Sequence, residues 1–131
     1  MKKNCIVAQS GGPTAAINAS LAGVVSGVIK SNQFETCYGS LNGITGILNN
    51  TIIDLSKNAE KPGFIEQLTI SPAMYLGSCR FKMPKMTDNE DIYKQIFSCF
   101  EQLNIGAFFY IGGNDSMDTV LKLSNYAKKI N

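Results

Sequence analysis

The chain has 131 residues, of which 44% are hydrophobic and 17% charged, so it is long and apolar enough for one globular domain and is not intrinsically disordered. Its net charge of +2 is smaller than nucleic-acid binders usually carry, which argues against a nucleic-acid partner. The apolar runs are far shorter than the ~20 residues that cross a bilayer, and no signal-type stretch follows the N-terminus, so we expect a cytoplasmic protein with no membrane contact.

Strands and helices are predicted to alternate in the amino-terminal half. Residues 4–9 form an apolar run that stops at a Ser-Gly-Gly-Pro turn, which predicts a buried strand. Residues 14–31 carry apolar side chains at helical spacing, and a second strand is predicted over 34–39. Beyond these, residues 41–55 are rich in Gly and Asn with a short apolar piece at 51–53, and residues 62–69 are compatible with a short helix.

The alternation continues after a loop-rich stretch over residues 71–85. A helix is predicted over 90–103, and the continuous apolar run 107–111 is typical of a central parallel strand covered on both faces. A last helix is predicted from about 116 to 130. Its Met117, Val120, Leu121 and Ser124 lie along one side.

This order predicts an α/β fold, with a mostly parallel sheet between helices on both faces. A sheet of three or four strands has at least one edge strand with unpaired backbone groups, and the chain stops straight after a helix. We therefore expect the domain to continue in another polypeptide or in a longer protein.

The numbers of cysteines and histidines limit the catalytic groups and metal ligands that the chain can offer. None of the four cysteines forms a CxxC pair, and we interpret them as core residues in a reducing compartment. The absence of histidine excludes His-based zinc sites, Ser-His-Asp triads and imidazole acid–base catalysis. Catalysis would have to use carboxylates, lysine, hydroxyls, backbone amides or the single arginine.

Two strand-to-helix junctions share one construction. The first junction (residues 8–14) and the second junction (residues 110–116) each run from a strand through a glycine pair into a helix. Glycines let a backbone approach a ligand, and a helix N-terminus offers free N–H groups, so each junction suits a phosphate. Neither is a P-loop or a GxGxxG motif. The alternative, that the glycine pairs are simply tight turns, stays open.

Charged and polar side chains near these junctions suggest an anion site. Arg80 is the only arginine, and its guanidinium would grip phosphate bidentately with Lys82 as a further charge. A solvated surface arginine is the alternative. Asn114 and Asp115 would face a phosphate-bound Mg²⁺ or, alternatively, would cap the last helix.

Three motifs together resemble a known family. They are Ser-Gly-Gly-Pro-Thr-Ala-Ala-Ile-Asn at residues 10–18, Leu-Gly-Ser-Cys-Arg-Phe-Lys at 76–82, and Ile-Gly-Gly-Asn-Asp-Ser-Met-Asp-Thr at 111–119. In order and spacing they resemble the amino-terminal part of the phosphofructokinases, and most closely the diphosphate-dependent branch. The resemblance covers nearly the whole chain and implies the family's Rossmann-like amino-terminal lobe.

The resemblance implies transfer of a phosphoryl group from diphosphate to the 1-hydroxyl of fructose 6-phosphate, with Mg²⁺. It implies catalytic roles for Arg80, on the donor phosphates, and for Asp115, in donor selectivity. Users of ATP in the family have glycine at the position of Asp115, and a carboxylate there repels the α-phosphate of a nucleotide. The implied diphosphate-binding residues are Gly11, Gly12, Arg80, Phe81, Lys82, Gly113, Asn114, Asp115 and Ser116.

Two departures from the family pattern matter. Asn114 stands where many members have a metal-binding aspartate, so the ion would be held by Asn114, by Asp115 or by the diphosphate itself. The family's catalytic-base motif and its region that binds fructose 6-phosphate have no counterpart here. We therefore expect residues 1–131 to be an amino-terminal, donor-phosphate-binding portion that is inactive alone, with a homo-oligomer as the full-length parent. The alternatives are a NAD or lipid kinase-like domain and a non-catalytic anion-binding or assembly module.

Overall fold

The structure is a computed structural model that describes residues 2–10, 15–70, 75–77, 82–112 and 114–130, and of residues 15–17 and 114–115 the backbone alone. Every predicted strand and helix is confirmed along these residues, with ends within two residues of the prediction. The elements in chain order are β1 (Lys3–Gln9), α1 (Ala15–Ser31), β2 (Phe34–Ser40), α2 (Ile44–Asn49), β3 (Ile52–Asp54), α3 (Leu55–Asn58), α4 (Phe64–Ile70), α5 (Glu90–Gln102), β4 (Ile105–Ile111) and α6 (Asn114–Ile130).

The strands form a sheet in the order β3-β2-β1-β4. β1 pairs parallel with both β2 and β4, and β3 joins β2 antiparallel, so the predicted mostly parallel sheet is confirmed. The prediction that residues 107–111 form a central strand is wrong for the described sheet, where β4 lies at an edge and β1 is central. An apolar run reports that both faces of a strand are covered, and it carries no information on how many edges are paired.

Helices cover both faces of the sheet, as predicted. Successive side chains of β1 alternate between the two faces. Cys5 and Val7 pack with α1, α3 and α4, whereas Ile6 packs with α2, α5 and α6. The aromatic residues of β4 follow the same rule, since Phe109 joins the first cluster and Phe108 the second. The fold is therefore a three-layer α/β/α arrangement.

The packed side of α6 differs from its most apolar side. Met117 and Leu121 are 67% and 59% exposed. The buried residues of this helix are instead Ser116, Thr119, Leu123 and Tyr126. Small polar side chains occupy the first turns because α6 approaches the end of the sheet closely there.

An asparagine ends α2 and an aspartate caps the start of α3, the two short helices that the sequence did not predict. Asn50 ends α2 with φ 61°, and each positive-φ residue other than glycine in the described chain is an asparagine. Asparagine tolerates this left-handed conformation better than most residues. Asp54 caps α3, because its carboxylate accepts a hydrogen bond from the Lys57 backbone N–H at 3.0 Å.

The cysteines that the structure describes are core residues, as predicted. Cys5, Cys37 and Cys99 are free thiols and buried, and Cys79 lies outside the described residues. Cys5 and Cys37 are partners in the β1–β2 register. A hydrogen bond to the Cys5 thiol, together with burial, raises the pKa of Cys37. Within the described part of the chain, no helix has the length and apolar character needed to cross a membrane.

Candidate functional site

The carboxyl ends of β1 and β4 lie side by side, and each leads into one glycine junction. Gln9 is in register with Ile111, and the Ser10 backbone N–H donates to the Ile111 carbonyl at 2.8 Å. The two junctions therefore begin at neighbouring positions at the carboxyl end of the sheet, which we call this edge of the sheet from here on. β2 lies on the other side of β1, so the strand order reverses here, and such a reversal opens a crevice outside the strand ends.

Gly112 stands where α6 meets the end of β1. A Cβ atom on Gly112 would lie 2.2 Å from Ser116 Oγ and 3.0 Å from the carbonyl oxygen of Ser10. A side chain does not fit at this position, and its absence lets the first turn of α6 approach the end of β1. Ser116, a predicted diphosphate ligand, lies at this contact and is 3% exposed.

Two long helices begin at this edge of the sheet. α1 and α6 have 17 residues each, and each follows one of the junctions. Their N-terminal N–H groups and partial positive charges favour an anion in the crevice. Farther along α6, the Asp118 carboxylate lies 2.7 Å from the Lys122 ammonium group, which offsets its negative charge.

The segment that carries the arginine, residues 78–81, is flanked by described residues on both sides. We call it the arginine segment. Before it, the Leu76 backbone N–H donates to Gln9 Oε1 at 2.8 Å, at the end of β1. After it, the Met83 carbonyl accepts a hydrogen bond from Lys122 of α6 at 2.8 Å. One flank of the segment is therefore held at the first junction, and the other is held by the helix that follows the second junction.

Tyr93 of α5 adds a contact to the second flank. Its phenol is buried and donates a hydrogen bond to the carbonyl of Pro84. Burial raises the pKa of Tyr93, so the phenol keeps its proton and remains a donor.

The structure describes some of the predicted site residues. Lys82 is exposed beside the arginine segment, and Ser116 is buried against Gly112. Asn114 and Asp115 form the start of α6, where only their backbone is described. The remaining predicted residues, Gly11, Gly12, Arg80, Phe81 and Gly113, lie outside the described residues.

Sequence reasoning did not identify three polar residues that bring these parts together. They are Gln9, Lys122 and Asn18, whose Oδ1 accepts a hydrogen bond from the Tyr75 backbone N–H at 2.8 Å. Gln9 and Asn18 are 0% and 2% exposed, and Lys122 is half-buried. A signal for the first two exists, because each is an amide side chain within a stretch that otherwise predicts a buried strand or helix face. The signal for Lys122 is Asp118 four residues earlier on the helix, a spacing that no other lysine of α6 has.

Magnesium ligands are expected at the second junction, from the resemblance to the family. In the described residues, no three His, Cys, Asp or Glu side chains gather closely enough to hold a metal ion. Asp118 is already paired with Lys122. The side chains of Asn114 and Asp115, the metal ligands expected from the sequence, lie outside the described part of the structure, so their role in holding Mg²⁺ stays a prediction.

Comparison with known proteins agrees with this geometry. The family model for phosphofructokinase matches residues 4–131. A pyrophosphate–fructose 6-phosphate 1-phosphotransferase from Methylococcus capsulatus is 38% identical over 129 residues, which are 98% of this chain and 30% of the relative. The enzyme of the same name from Rhodospirillum rubrum is 40% identical over 128 residues, again 98% of this chain and 30% of the relative.

A solved structure shares the fold as well. The crystal structure of a pyrophosphate-dependent phosphofructokinase from Nitrosospira multiformis matches with a TM-score of 0.87 at 40% identity, over 98% of this chain and 31% of that one. The chain thus spans about 30% of the length of the relatives it matches. On the family match over residues 4–131 and the shared fold, the chain belongs to the phosphofructokinase family.

Proposed function

We propose that residues 1–131 form the donor-phosphate-binding portion of an enzyme that transfers a phosphoryl group from diphosphate to the 1-hydroxyl of fructose 6-phosphate. The observation that carries the proposal is the pairing of β1 with β4, which brings the two glycine junctions to one edge of the sheet. Relatives at 38–40% identity bear the name of this reaction.

The chain's own groups have separate tasks in this proposal. Backbone N–H groups at the two helix starts bind oxygens of diphosphate, and the Arg80 guanidinium offsets part of its charge. Phosphoryl transfer needs a positioned donor and neutralised charge more than covalent chemistry, and these groups supply both. Lys82, exposed next to the arginine segment, adds positive charge at the same edge.

Asp115 selects the donor in this proposal. It belongs to the first turn of α6, beside Gly112. A carboxylate at that place repels the additional phosphate of a nucleotide, so diphosphate is preferred over ATP. Asn114 and Asp115 would hold Mg²⁺, whose chemistry when bound is to neutralise charge on the donor phosphates.

The 131-residue chain is expected to bind the donor without turning over substrate. The general base that the family uses to activate the sugar hydroxyl has no counterpart in this sequence. The three buried free thiols support a cytoplasmic protein. A homo-oligomer in the full-length parent belongs to the same proposal and rests on the resemblance to the family.

Calorimetric titration of the 131-residue chain tests the proposal. We expect diphosphate with Mg²⁺ to bind, and ATP with Mg²⁺ and NAD to give no heat under the same conditions. Binding of ATP or NAD in preference to diphosphate would indicate a different kinase-like domain. Binding of none of the three would leave an assembly module as the better account.

Two variants and one control variant test the roles of Arg80 and Asp115. Arg80→Ala should weaken diphosphate binding about tenfold or more, because a hydrogen bond to a charged group is lost. Lys85→Ala, at an exposed residue nearby, should change it less than about twofold. Asp115→Gly should admit ATP, and continued exclusion of ATP by this variant would contradict the assigned role of Asp115.

A further inference from the structure

Cys5 and Cys37 form a buried pair of free thiols that the proposed function does not use. They are register partners on the neighbouring parallel strands β1 and β2. Both side chains lie on the same face of the sheet, since both belong to the core cluster that packs with α1, α3 and α4. Their exposed fractions are 0% and 1%. The chain therefore holds two sulfur donors side by side in its core.

A hydrogen bond joins the two thiols. It lowers the pKa of Cys5 and raises the pKa of Cys37, which indicates that the Cys37 S–H donates to the Cys5 sulfur. Burial adds to the rise at Cys37. Cys5 is therefore the first of the two to ionise, and a cation that replaces the shared proton would bind both sulfurs.

The spacing of the two strands suits a metal bridge better than a disulfide. Neighbouring strands lie ~4.8 Å apart, and the parallel register keeps the two Cβ atoms at about this separation. A disulfide needs its Cβ atoms ~3.8 Å apart, so its formation would draw the strands together. Two metal–thiolate bonds of ~2.3 Å in a line span ~4.6 Å between the sulfurs, which the existing spacing accommodates.

The number and charge of the donors select the kind of metal. Among the described residues, no third Cys, His, Asp or Glu side chain completes a metal-binding group with the pair. Zn²⁺ takes four ligands in a structural site, so two thiols alone do not suit it. A soft cation that binds two thiolates in a line does suit them. A dication leaves this complex without net charge, which an apolar core favours over the anionic complex of a monovalent cation such as Cu⁺.

The short helix α3 covers the pair and offers a way in. It has four residues, and its Leu55 is buried in the same cluster as the two thiols. The pairing of β2 with β3 ends at Tyr38, and the backbone N–H of Cys37 donates instead to Ser56 Oγ of α3 at 3.3 Å. Opening of so short a helix is a local event that costs far less free energy than global unfolding. A cation can therefore reach the sulfurs without unfolding of the sheet.

We infer that Cys5 and Cys37 form a two-coordinate site for a soft, thiol-binding dication, for which Hg²⁺ is the probe. On binding, two S–H bonds break, two S–Hg bonds form and two protons are released, with no change of oxidation state. The product carries no net charge. The inference does not rest on the proposed function, because neither thiol is assigned a contact with diphosphate.

Competition with a monothiol tests the pair. The 131-residue chain receives one equivalent of Hg²⁺ in about a tenfold excess of glutathione, and native mass spectrometry measures the metal that the chain retains. A lone cysteine loses Hg²⁺ to glutathione, whereas two thiols of one chain have the advantage of effective concentration. We expect one Hg²⁺ per chain, and retention at least about 100-fold weaker in Cys5→Ala and in Cys37→Ala. Loss of Hg²⁺ from the unsubstituted chain to glutathione would overturn the inference.

The other thiols and a second metal supply the controls. Cys99 is a buried thiol that belongs to the core cluster on the opposite face of the sheet. Cys99→Ala combined with Cys79→Ala leaves the pair as the only thiols of the chain, and this double variant should retain Hg²⁺ as the unsubstituted chain does. Loss of the metal from the double variant would assign it to other thiols. Retention of Zn²⁺ against glutathione would show more than two ligands and would contradict the two-coordinate site.

Peptide mapping keeps the inference testable if the variants of the pair do not fold. The unsubstituted chain is loaded with Hg²⁺, denatured and alkylated at once, and mass spectrometry of its peptides identifies the thiols that the metal protects. We expect protection of Cys5 and Cys37 in the same molecules and alkylation of Cys79 and Cys99. Protection of any other pair would overturn the inference.

Discussion

Substitution of Gly112 by alanine should destabilise the chain by steric overlap at the meeting point of the two junctions. The added Cβ would lie 2.2 Å from Ser116 Oγ, and 3.0 Å from both Ser116 Cβ and the Ser10 carbonyl oxygen. Rotating the hydroxyl relieves the first contact and leaves the other two. Overpacking of this kind typically costs about 1–3 kcal/mol. The loss of glycine flexibility in the unfolded chain returns ~0.4–1 kcal/mol.

We therefore expect the free energy of unfolding to fall by about 1–2 kcal/mol in Gly112→Ala. Urea denaturation followed by circular dichroism measures this difference. The matched control is Gly23→Ala in α1, where an added Cβ has no atom within 4 Å. That variant should be more stable by ~0.5–1 kcal/mol, because alanine favours helix. Equal stability of Gly112→Ala and the parent chain would refute the close approach of α6 to β1.

Three further changes have expected outcomes. Gly77→Ala should cost about 1–2 kcal/mol in urea denaturation, because φ is +79° and the new Cβ would meet Asn42 Oδ1 at 2.3 Å; an unchanged midpoint would contradict this backbone geometry. Asp54→Ala should cost ~1 kcal/mol by the same measurement through loss of the α3 cap, and Asp54→Asn should recover most of it. Burial raises the pKa of Cys99, so its contribution to stability is complete below the unfolded thiol pKa of about 8.5 and is lost as the pH rises above it. Cys99→Ala should accordingly flatten the alkaline decline in unfolding free energy, and an identical slope would show that this thiol does not contribute.

Much of the fold was predictable, because the spacing of apolar residues along the sequence shows which faces of the strands and helices are buried. The alternation of strands and helices follows from apolar spacing, and the structure confirms it. The position of β4 at the sheet edge was not predictable, because strand order depends on which backbone edges pair. The packed side of α6 was also missed, since it begins with Ser116 and Thr119, whereas Leu121 is exposed. Close approach to the sheet end favours small side chains there over apolar ones.

The position of the candidate site at the neighbouring ends of β1 and β4 was predictable from local motifs, whereas the ligand roles of its residues stay predictions. Glycine pairs after strands indicated both junctions, and their meeting at one edge follows from the parallel pairing of β1 with β4. The contacts made by Gln9, Asn18 and Lys122 were not predictable, because their partners are backbone groups far away in the sequence. A hydrogen bond to a distant backbone N–H leaves no periodic signal.

The arrangement also explains why diphosphate binding and turnover are expected to separate. The donor end of the proposed site depends on the neighbouring ends of β1 and β4, two helix starts and the loop between Leu76 and Met83, all within this chain. β1 and β4 become neighbours only after the chain has passed through β2 and β3. Donor binding should therefore be lost together with the folding of the whole sheet, in a single transition. Diphosphate that binds the native chain alone must in turn raise the unfolding midpoint, and must do so in proportion to the logarithm of its concentration. An unfolding midpoint that diphosphate and Mg²⁺ leave unchanged, at concentrations where calorimetry reports binding, would mean that the anion binds the unfolded chain as tightly as the native one, and would contradict a site that depends on the folded sheet.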